Sequence, residues 1–255
     1  MKPIYKPKGR ALEYSPDALA LNIYTGCPHR CFYCFAPNVL KQDREKFHIH
    51  VEPRHGIINA VKRQLLNGYV DTTDDTGVKN RIELKGKLIH LCFTCDPYPC
   101  GYDTSPTREI IKAIKESGNH VQILTKSGGG DRDFDLLDSN DWYGITYTGG
   151  LNGIGCKNDY EIGAAPDNDR FLRLKFAKEN GINTWVSCEP IIDIVGIYGS
   201  IVHNDFVDLY RIGKLNYHKS DINWGDFGRE CERLCTEYGR NYYIKDDLRK
   251  AMATD

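Results

Sequence analysis

Three cysteines early in the sequence carry its clearest chemical signal. Cys27, Cys31 and Cys34 follow the spacing C-x3-C-x2-C, and no fourth cysteine follows closely. Three thiolates can hold three irons of a cubane iron–sulfur cluster, which leaves the fourth iron without a protein ligand. An iron that is open in this way can bind a substrate or a cosubstrate. The spacing therefore predicts catalytic chemistry rather than electron storage.

A zinc site is the alternative interpretation of the same cysteines. Structural zinc takes four protein ligands, usually from two pairs of closely spaced residues. The second pair is missing next to these cysteines, although His48, His50 or Cys92 could complete the site. A zinc- or cluster-bearing binding module without catalysis therefore stays open. An electron-transfer protein stays open too, with a fourth cluster ligand from Cys92 or Cys95.

These residues must be positioned by an alternation of strand-like and helical stretches. Six apolar runs predict strands, at residues 19–24, 88–93, 121–125, 143–147, 183–188 and 209–215. Helical patterns lie between most of them, and strands that alternate with helices indicate a parallel sheet. Six units are too few for a closed barrel of eight. We therefore predict an α/β fold, a partial (β/α)6-type TIM-like barrel with parallel strands.

A single domain is predicted for residues 1–255, because this length suits one domain of α/β-barrel type. Its core spans about 18–217, and a C-terminal helical cap spans about 221–255. Residues 68–86 are polar and rich in turn-forming residues. They are predicted to be an insertion between the first two units.

Polar residues follow or end several of the predicted strands. Asp96 follows the second strand and Lys126 the third, while Thr146 and Ser187 lie at the ends of the fourth and fifth. The active site of a parallel α/β fold lies at the carboxyl ends of its strands. We therefore expect these side chains to share one rim with the cysteine loop.

The overall composition argues against several classes of protein. The chain has 34 basic and 35 acidic residues and a net charge of −1, whereas nucleic-acid-binding domains are often strongly basic. The sequence has no apolar run of membrane-spanning length and no recognisable secretory signal. Its 10 cysteines are then expected to be reduced, metal-bound or catalytic. We expect a cytoplasmic protein without a membrane partner.

The segment GCPHRCFYCF, residues 26–35, resembles the cluster loop of the radical S-adenosylmethionine superfamily, in which an aromatic residue such as Tyr33 precedes the last cysteine. Other segments follow in the order seen in enzymes similar to spore photoproduct lyase. They are CFTCDPYP, ILTKSG, GITYTG, APDNDRFLRL and SCEPIID. The resemblance covers residues from about 18 to about 250.

The resemblance implies a [4Fe-4S] cluster on Cys27, Cys31 and Cys34, with S-adenosyl-L-methionine as the cosubstrate. Reduction would cleave the cosubstrate into methionine and a 5′-deoxyadenosyl radical, which would remove a hydrogen atom from a substrate that is not identified. Such an enzyme needs a reducing partner, such as flavodoxin or ferredoxin. The oligomeric state is not predicted.

Several residues are expected to contact the cosubstrate. The resemblance assigns Asp96 to its ammonium group and supports Lys126 as a contact for its carboxylate or ribose. A matching arginine at position 170 occurs in the lyase-like group. The full predicted set is Tyr33, Asp96, Lys126, Thr146, Arg170 and Ser187. Glu189 has no regular counterpart in that group and is a candidate for a role specific to this protein.

Cys95 is the predicted catalytic residue outside the cluster loop. Photoproduct lyases use a cysteine in this segment as a hydrogen donor, and its position aligns with Phe93, between Cys92 and Cys95. Strand alternation predicts that only one of Cys92 and Phe93 faces the interior. A second cluster or a redox pair in this segment is the alternative, as is a plain structural role for these thiols.

Repair of pyrimidine dimers in DNA is the specific rival within the same superfamily. A repair enzyme must extrude the lesion and hold a phosphate backbone. A nucleic-acid substrate is possible, but the net charge of −1 does not favour it.

Overall fold

The computed structural model describes residues 2–15, 18–74, 76–150 and 160–254. Its strands are β1 Leu19–Leu21, β2 Tyr69–Thr73, β3 Lys79–Glu83, β4 Leu88–Leu91, β5 His120–Thr125, β6 Trp142–Thr146, β7 Asn183–Cys188, β8 Leu209–Ile212 and β9 Tyr242–Ile244. Its α-helices are α1 Ala36–Leu40, α2 Arg44–Ile49, α3 Ile57–Asn67, α4 Ser105–Glu116, α5 Asp167–Glu179, α6 Ile194–His203, α7 Trp224–Glu237 and α8 Asp246–Ala253. Two 3-10 helices span Gly9–Tyr14 and Gly130–Leu136.

The main sheet contains seven parallel strands in the order β1-β4-β5-β6-β7-β8-β9. The predicted α/β fold with parallel strands is therefore confirmed, as an open sheet of the partial TIM-like type. The sheet has one strand more than predicted. This strand, β9, is only three residues long and lies within the segment predicted as a helical cap.

The strands β2 and β3 form a separate antiparallel hairpin. They fall within residues 68–86, where an insertion is predicted. Within the described ranges, no helix combines the length and apolar content needed to cross a bilayer.

Helices cover one face of the sheet with apolar stripes. In α4, Ile110, Ile111 and Ile114 recur at helical spacing and are fully buried. Pro106 lies in the first turn of α4, where its missing N–H costs no helical hydrogen bond. Full burial of one such isoleucine stabilises the fold by about 1.5–3 kcal/mol. This core fixes the strands, and their carboxyl ends form the rim that carries the candidate site.

Residues 4–14, here called the N-terminal strap, connect the two edges of the open sheet. Tyr5 pairs with Ala20 at the β1 edge through two main-chain hydrogen bonds of 2.9 and 2.8 Å. At the other edge, the Glu13 side chain accepts a hydrogen bond of 2.7 Å from the Asp246 N–H at the start of α8. The strap therefore spans the gap that a closed barrel would fill with further strands.

Tyr14 ends the strap and fills the interior of the open barrel. Its ring centroid lies 5.8 Å from that of His90, 5.5 Å from that of Phe93 and 6.2 Å from that of Trp185. These contacts shield the sheet face that turns away from the helices.

Candidate functional site

The loop that carries the three cysteines follows β1 and is fixed by an arginine. Arg44, the first residue of α2, donates to the carbonyl oxygens of Cys31 (2.8 Å), Phe32 (2.7 Å) and Cys34 (3.1 Å). The planar guanidinium can serve several carbonyls at once because its donors form a rigid fork. Cys31 is buried, whereas Cys27 and Cys34 are partly buried. Arg44 therefore holds the loop through its main-chain carbonyls and not through the sulfurs.

The start of the loop lies directly against α2. A Cβ on Gly26 would be 2.2 Å from the Phe47 carbonyl oxygen, so the close approach requires glycine. The Cys27 N–H donates to the same carbonyl at 3.1 Å, and His48 Nδ1 donates to the Cys27 carbonyl at 2.8 Å. His48, a possible zinc ligand by sequence, thus uses one ring nitrogen to support the loop.

The spacing of the sulfurs does not match a zinc site. Three thiolates on tetrahedral zinc would be about 3.8 Å apart, given a Zn–S bond of about 2.3 Å. Over residues 2–15, 18–74, 76–150 and 160–254, the only group of three metal-binding side chains with all ligand atoms within 4.8 Å is His120, Asp138 and Asp141. Lys115 already binds both of those aspartates, at 2.8 and 2.5 Å. At least one pair of the cysteine sulfurs is therefore more than 4.8 Å apart, which suits a cubane because a cubane spreads its ligands over separate irons.

Burial controls the ionisation of the cysteine thiols. It raises the pKa of Cys31 to about 12 and lifts the pKa values of Cys27 and Cys34 above their ordinary range. A ligand that binds these sulfurs must therefore displace their protons, as metal centres bound by thiolates do. Soft thiolates favour iron–sulfur clusters, zinc and copper(I). With the zinc geometry lacking, the donor set fits an iron–sulfur cluster.

Glu161 is a residue of this site that the sequence analysis missed. It pairs with Cys31 in an isolated antiparallel bridge. Its carboxylate accepts a hydrogen bond from the Tyr33 hydroxyl and forms an ion pair of 2.6 Å with Arg170, with both side chains of that pair fully buried. Burial alone would raise the pKa of Glu161, but the Arg170 and Lys126 charges hold that pKa below its ordinary value. Glu161 therefore connects the cluster loop to the rim as a carboxylate.

Arg170 lies at the site, as predicted, and binds main-chain and carboxylate oxygens of the protein. Its Nε donates to the Ala165 carbonyl at 2.8 Å, and its Nη1 donates to the Thr146 carbonyl at 3.0 Å. Asp167 lies 3.5 Å from the same guanidinium. Arg170 thus ties the end of β6 to the segment that carries Glu161. Its contact with a cosubstrate stays a prediction.

Asp96 connects three segments of the rim. Its Oδ1 accepts hydrogen bonds from the Thr125 hydroxyl (2.6 Å) and the Tyr98 N–H (2.8 Å). Its Oδ2 accepts one from the Lys126 N–H (2.8 Å) and lies 3.5 Å from His29 Nδ1. Three hydrogen-bond donors and the nearby His29 ring occupy most of the acceptor capacity of this carboxylate. Asp96 therefore positions its neighbours, and its predicted contact with an ammonium group stays a prediction.

Lys126, Thr146 and Ser187 lie at the same rim, on adjacent strand ends. Thr146 and Ser187 are register partners between β6 and β7, so their side chains share one face of the sheet. The Ser187 hydroxyl is fully buried and has no hydrogen-bond partner among the described residues. Buried hydroxyls normally have a partner, so this group is available to a ligand. Lys126 Nζ lies 5.7 Å from the centroid of the Tyr33 ring.

The segment after β4 brings Phe93 into the barrel. Its ring stacks on His90 with centroids 4.2 Å apart and an interplanar angle of 19°. Cys92 lies in the hydrophobic core instead. Of the two residues, Phe93 is therefore the one that faces the barrel interior. Cys95 Sγ accepts a hydrogen bond of 3.4 Å from the Tyr24 N–H. The catalytic role of Cys95 stays a prediction.

Glu189 lies at the rim in a charged cluster that sequence analysis did not find. Its carboxylate binds Lys245, which is almost fully buried, and Arg10 of the N-terminal strap at 2.5 Å. Asn216 donates to it at 3.3 Å. The Lys245 ammonium also lies 3.6 Å from the centroid of the Tyr14 ring. Glu189 therefore joins β7, the strap and the segment after β9.

Substitution of Gly163 by alanine is expected to push the cluster loop away from the segment that carries Glu161. An added Cβ would lie 2.1 Å from the Pro28 carbonyl oxygen, and the Gly163 N–H donates to the His29 carbonyl at 2.9 Å. Such overpacking costs about 1–3 kcal/mol, so the midpoint of urea unfolding should fall. In the control Gly199→Ala, a Cβ meets nothing within 4 Å, and no loss is expected. Equal midpoints for the two variants would contradict the contact.

Comparison with known proteins identifies solved structures that have a similar fold. No family model matches the chain. A spore photoproduct lyase mutant superposes with a TM-score of 0.62 at 13% identity, covering 91% of this chain and 77% of that chain. Methylornithine synthase superposes with a TM-score of 0.51 at 14% identity, covering 92% and 75%. Both are radical S-adenosylmethionine enzymes. The chain shares their fold.

The predicted resemblance to the spore photoproduct lyase group is thereby confirmed at the level of the fold. One similar structure is a spore photoproduct lyase mutant with bound AdoMet and dinucleoside spore photoproduct, with a TM-score of 0.59 at 13% identity over 91% of this chain and 77% of that chain. Among curated proteins, an uncharacterized protein of Methanocaldococcus jannaschii is 29% identical over 226 residues, covering 86% of this chain and 76% of that protein. An uncharacterized protein of Acidianus two-tailed virus is 24% identical over 264 residues, covering 90% and 81%.

Proposed function

We propose that the chain is a radical S-adenosylmethionine enzyme whose [4Fe-4S] cluster is held by Cys27, Cys31 and Cys34. The observation that carries the proposal is the position of these cysteines. Their loop follows the first strand of a sheet that shares the fold of radical S-adenosylmethionine enzymes, and their sulfurs lack the spacing of a zinc site. The direct test is whether reconstituted and reduced protein releases 5′-deoxyadenosine from S-adenosylmethionine.

When bound, the cluster and S-adenosylmethionine supply a 5′-deoxyadenosyl radical that removes a hydrogen atom from the substrate. The protein supplies binding, orientation and exclusion of water. Lys126 is suited to hold the cosubstrate carboxylate. Burial alone would lower its pKa, but Cys31, Glu161 and Asp96 raise that pKa, so the side chain stays an ammonium. The free Ser187 hydroxyl is suited to a polar atom of the same ligand.

The rim also has the means to keep water from a reactive species. Thr146, Ser187 and Arg170 are buried, and the interior beyond them is filled by Tyr14 and Trp185. Enclosure of this kind prevents side reactions of reactive intermediates. A cytoplasmic location is part of the proposal, since thiolate-bound clusters need a reducing compartment.

The substrate is not part of the proposal, and repair of pyrimidine dimers is not favoured. The dinucleoside spore photoproduct in the similar structure is a ligand of spore photoproduct lyase, and it does not identify the substrate of this chain. A phosphate backbone attracts proteins with many neutralising lysines and arginines. The net charge of this chain is −1.

A reducing partner is expected to bind on the outer side of the cluster loop. Phe32, Phe35 and Val39 are 41%, 53% and 65% exposed there, next to cluster ligands or on α1. Residues 30–54 carry five basic and three acidic side chains, a net charge of +2, although the whole chain carries −1. Apolar groups with surrounding positive charge suit a small acidic electron carrier, such as flavodoxin or ferredoxin.

A Lys41→Glu variant is expected to slow the formation of 5′-deoxyadenosine roughly threefold to tenfold at low salt when flavodoxin is the reductant. The rate with dithionite should stay unchanged, because a small reductant needs no docking surface. Lys175→Glu reverses the charge of an exposed lysine on α5 and serves as the matched control. Equal flavodoxin rates for the two variants would contradict this docking surface.

A further inference from the structure

Two cysteines after β4 form a pair that the cluster loop does not use. Cys92 and Cys95 are spaced C-x2-C, and both are free thiols. Cys92 has φ of +71°, in the left-handed region that a side chain with a Cβ rarely adopts. Strained backbone of this kind persists only where surrounding contacts impose it. Contacts from neighbouring segments must therefore impose the turn that carries Cys92.

Specific hydrogen bonds build the turn. The Cys92 N–H donates to the Leu21 carbonyl of β1 at 2.8 Å. The side-chain oxygen of Asn22 accepts the N–H groups of both Phe93 and Thr94, each at 2.9 Å. These hydrogen bonds fix Phe93 and Thr94, so Cys92 and Cys95 stand at the two ends of one short, fixed turn.

The sulfur of Cys95 lies in an environment that favours a thiolate. It accepts a hydrogen bond of 3.4 Å from the Tyr24 N–H. Arg54 lies close by, with its Nε on the Tyr24 carbonyl at 3.1 Å. Burial alone would raise the pKa of Cys95, but the Cys92 thiol and the Tyr24 N–H hold that pKa below its ordinary value. Burial holds the pKa of Cys92 well above its ordinary value.

We propose that Cys92 and Cys95 form a redox-active dithiol that undergoes thiol–disulfide exchange with a small disulfide. The Cys95 thiolate attacks one sulfur of the disulfide, which forms a mixed disulfide and releases one thiolate. Cys92 then loses its proton and attacks Cys95 Sγ, which releases the second thiolate. The net change is one Cys92–Cys95 disulfide formed and one small disulfide reduced to two thiols. Because Cys95 directly precedes Asp96, the exchange takes place beside the rim.

Cys100 is a built-in control for this pair. It follows in the same loop, but its thiol donates to the Ser127 hydroxyl at 3.5 Å, and burial raises its pKa. It therefore lacks both the partner thiol and the thiolate character of Cys95. Trypsin cuts after Lys87 and Arg108, so one peptide of residues 88–108 contains Cys92, Cys95 and Cys100.

In the test, the folded protein is kept without oxygen, either untreated or treated with glutathione disulfide, and each sample is then alkylated in denaturant so that buried thiols also react. The reduced protein should give a peptide with three alkylated cysteines. The treated protein should give a peptide with one alkylated cysteine, Cys100, and two hydrogens fewer between Cys92 and Cys95. Three alkylated cysteines after treatment would overturn the proposal, as would a disulfide that includes Cys100. This measurement needs no substitution, and it is independent of the proposed enzymatic function.

Single substitutions identify the attacking sulfur. Cys92→Ser should trap glutathione on Cys95 as a stable mixed disulfide. Cys95→Ser should form the corresponding adduct on Cys92 at least about tenfold more slowly, because the thiolate fraction of Cys92 is smaller. Equal rates of adduct formation would overturn the assignment of Cys95 as the attacking thiolate.

Discussion

A Cys31→Ala variant is expected to lose its iron and sulfide and to release no 5′-deoxyadenosine from S-adenosylmethionine. Cys31 is the most buried of the three cluster cysteines, and its main chain is held by Arg44 and by the bridge to Glu161. Removal of its sulfur leaves two protein ligands, whereas the open-iron arrangement requires three. The measurements are iron and sulfide per chain after reconstitution and 5′-deoxyadenosine after reduction.

Cys235→Ala is the matched control for this variant. Cys235 is also buried, but it lies on α7, away from the rim. The same loss of a thiol there should leave the iron content and the reductive cleavage intact. A Cys31→Ala protein that still cleaves S-adenosylmethionine reductively would contradict the assignment of the ligands.

An Arg170→Leu variant is expected to lose about 3–5 kcal/mol of its free energy of unfolding, because it leaves the Glu161 carboxylate buried without its ion-pair partner. The main-chain carbonyls of Ala165 and Thr146 also lose their donors. Urea unfolding at neutral pH measures the change. The cluster loop should lose its tie to the rim at the same time, so reconstitution should yield several-fold less iron per chain.

Arg173→Leu is the control, because it removes an arginine of α5 without breaking a buried ion pair. Arg173 pairs with Asp131 at 3.2 Å, and both side chains are about one-third exposed, at 36% and 29%. An exposed pair of this kind contributes at most about 1 kcal/mol. A second comparison uses the double variant Glu161→Gln/Arg170→Leu, which should be more stable than Arg170→Leu alone because the fully buried charge of Glu161 is removed together with its partner. Equal losses for Arg170→Leu and Arg173→Leu would contradict the role of the buried pair.

The sequence was sufficient to predict the parallel sheet and most of the rim. Apolar runs and helical spacing repeat along the chain, and the carboxyl ends of parallel strands meet at one edge. Cys31, Asp96 and Lys126 could therefore be assigned to one site before any contact was known. The strand β9 was missed because three residues are too short for a periodic signal.

Other parts of the site depend on contacts between distant segments, which leave no local pattern. Glu161 lies in a polar stretch, and only the fold brings it to Arg170 and to the cluster loop. The cluster of Arg10, Glu189 and Lys245 likewise joins the two ends of the chain to β7. Strand alternation predicted that only one of Cys92 and Phe93 faces inward, without indicating which. The inward residue is Phe93, whose ring stacks on His90, and the backbone at Cys92 is left-handed.

The most direct test of the proposed function is the formation of 5′-deoxyadenosine by the wild-type protein. The protein is reconstituted with iron and sulfide without oxygen, mixed with S-adenosylmethionine and reduced with dithionite. The expected result is 5′-deoxyadenosine and methionine in equal amounts, from protein that holds about four irons and four sulfides per chain. Protein that contains the cluster and is reduced, yet forms no 5′-deoxyadenosine, would contradict the proposed function.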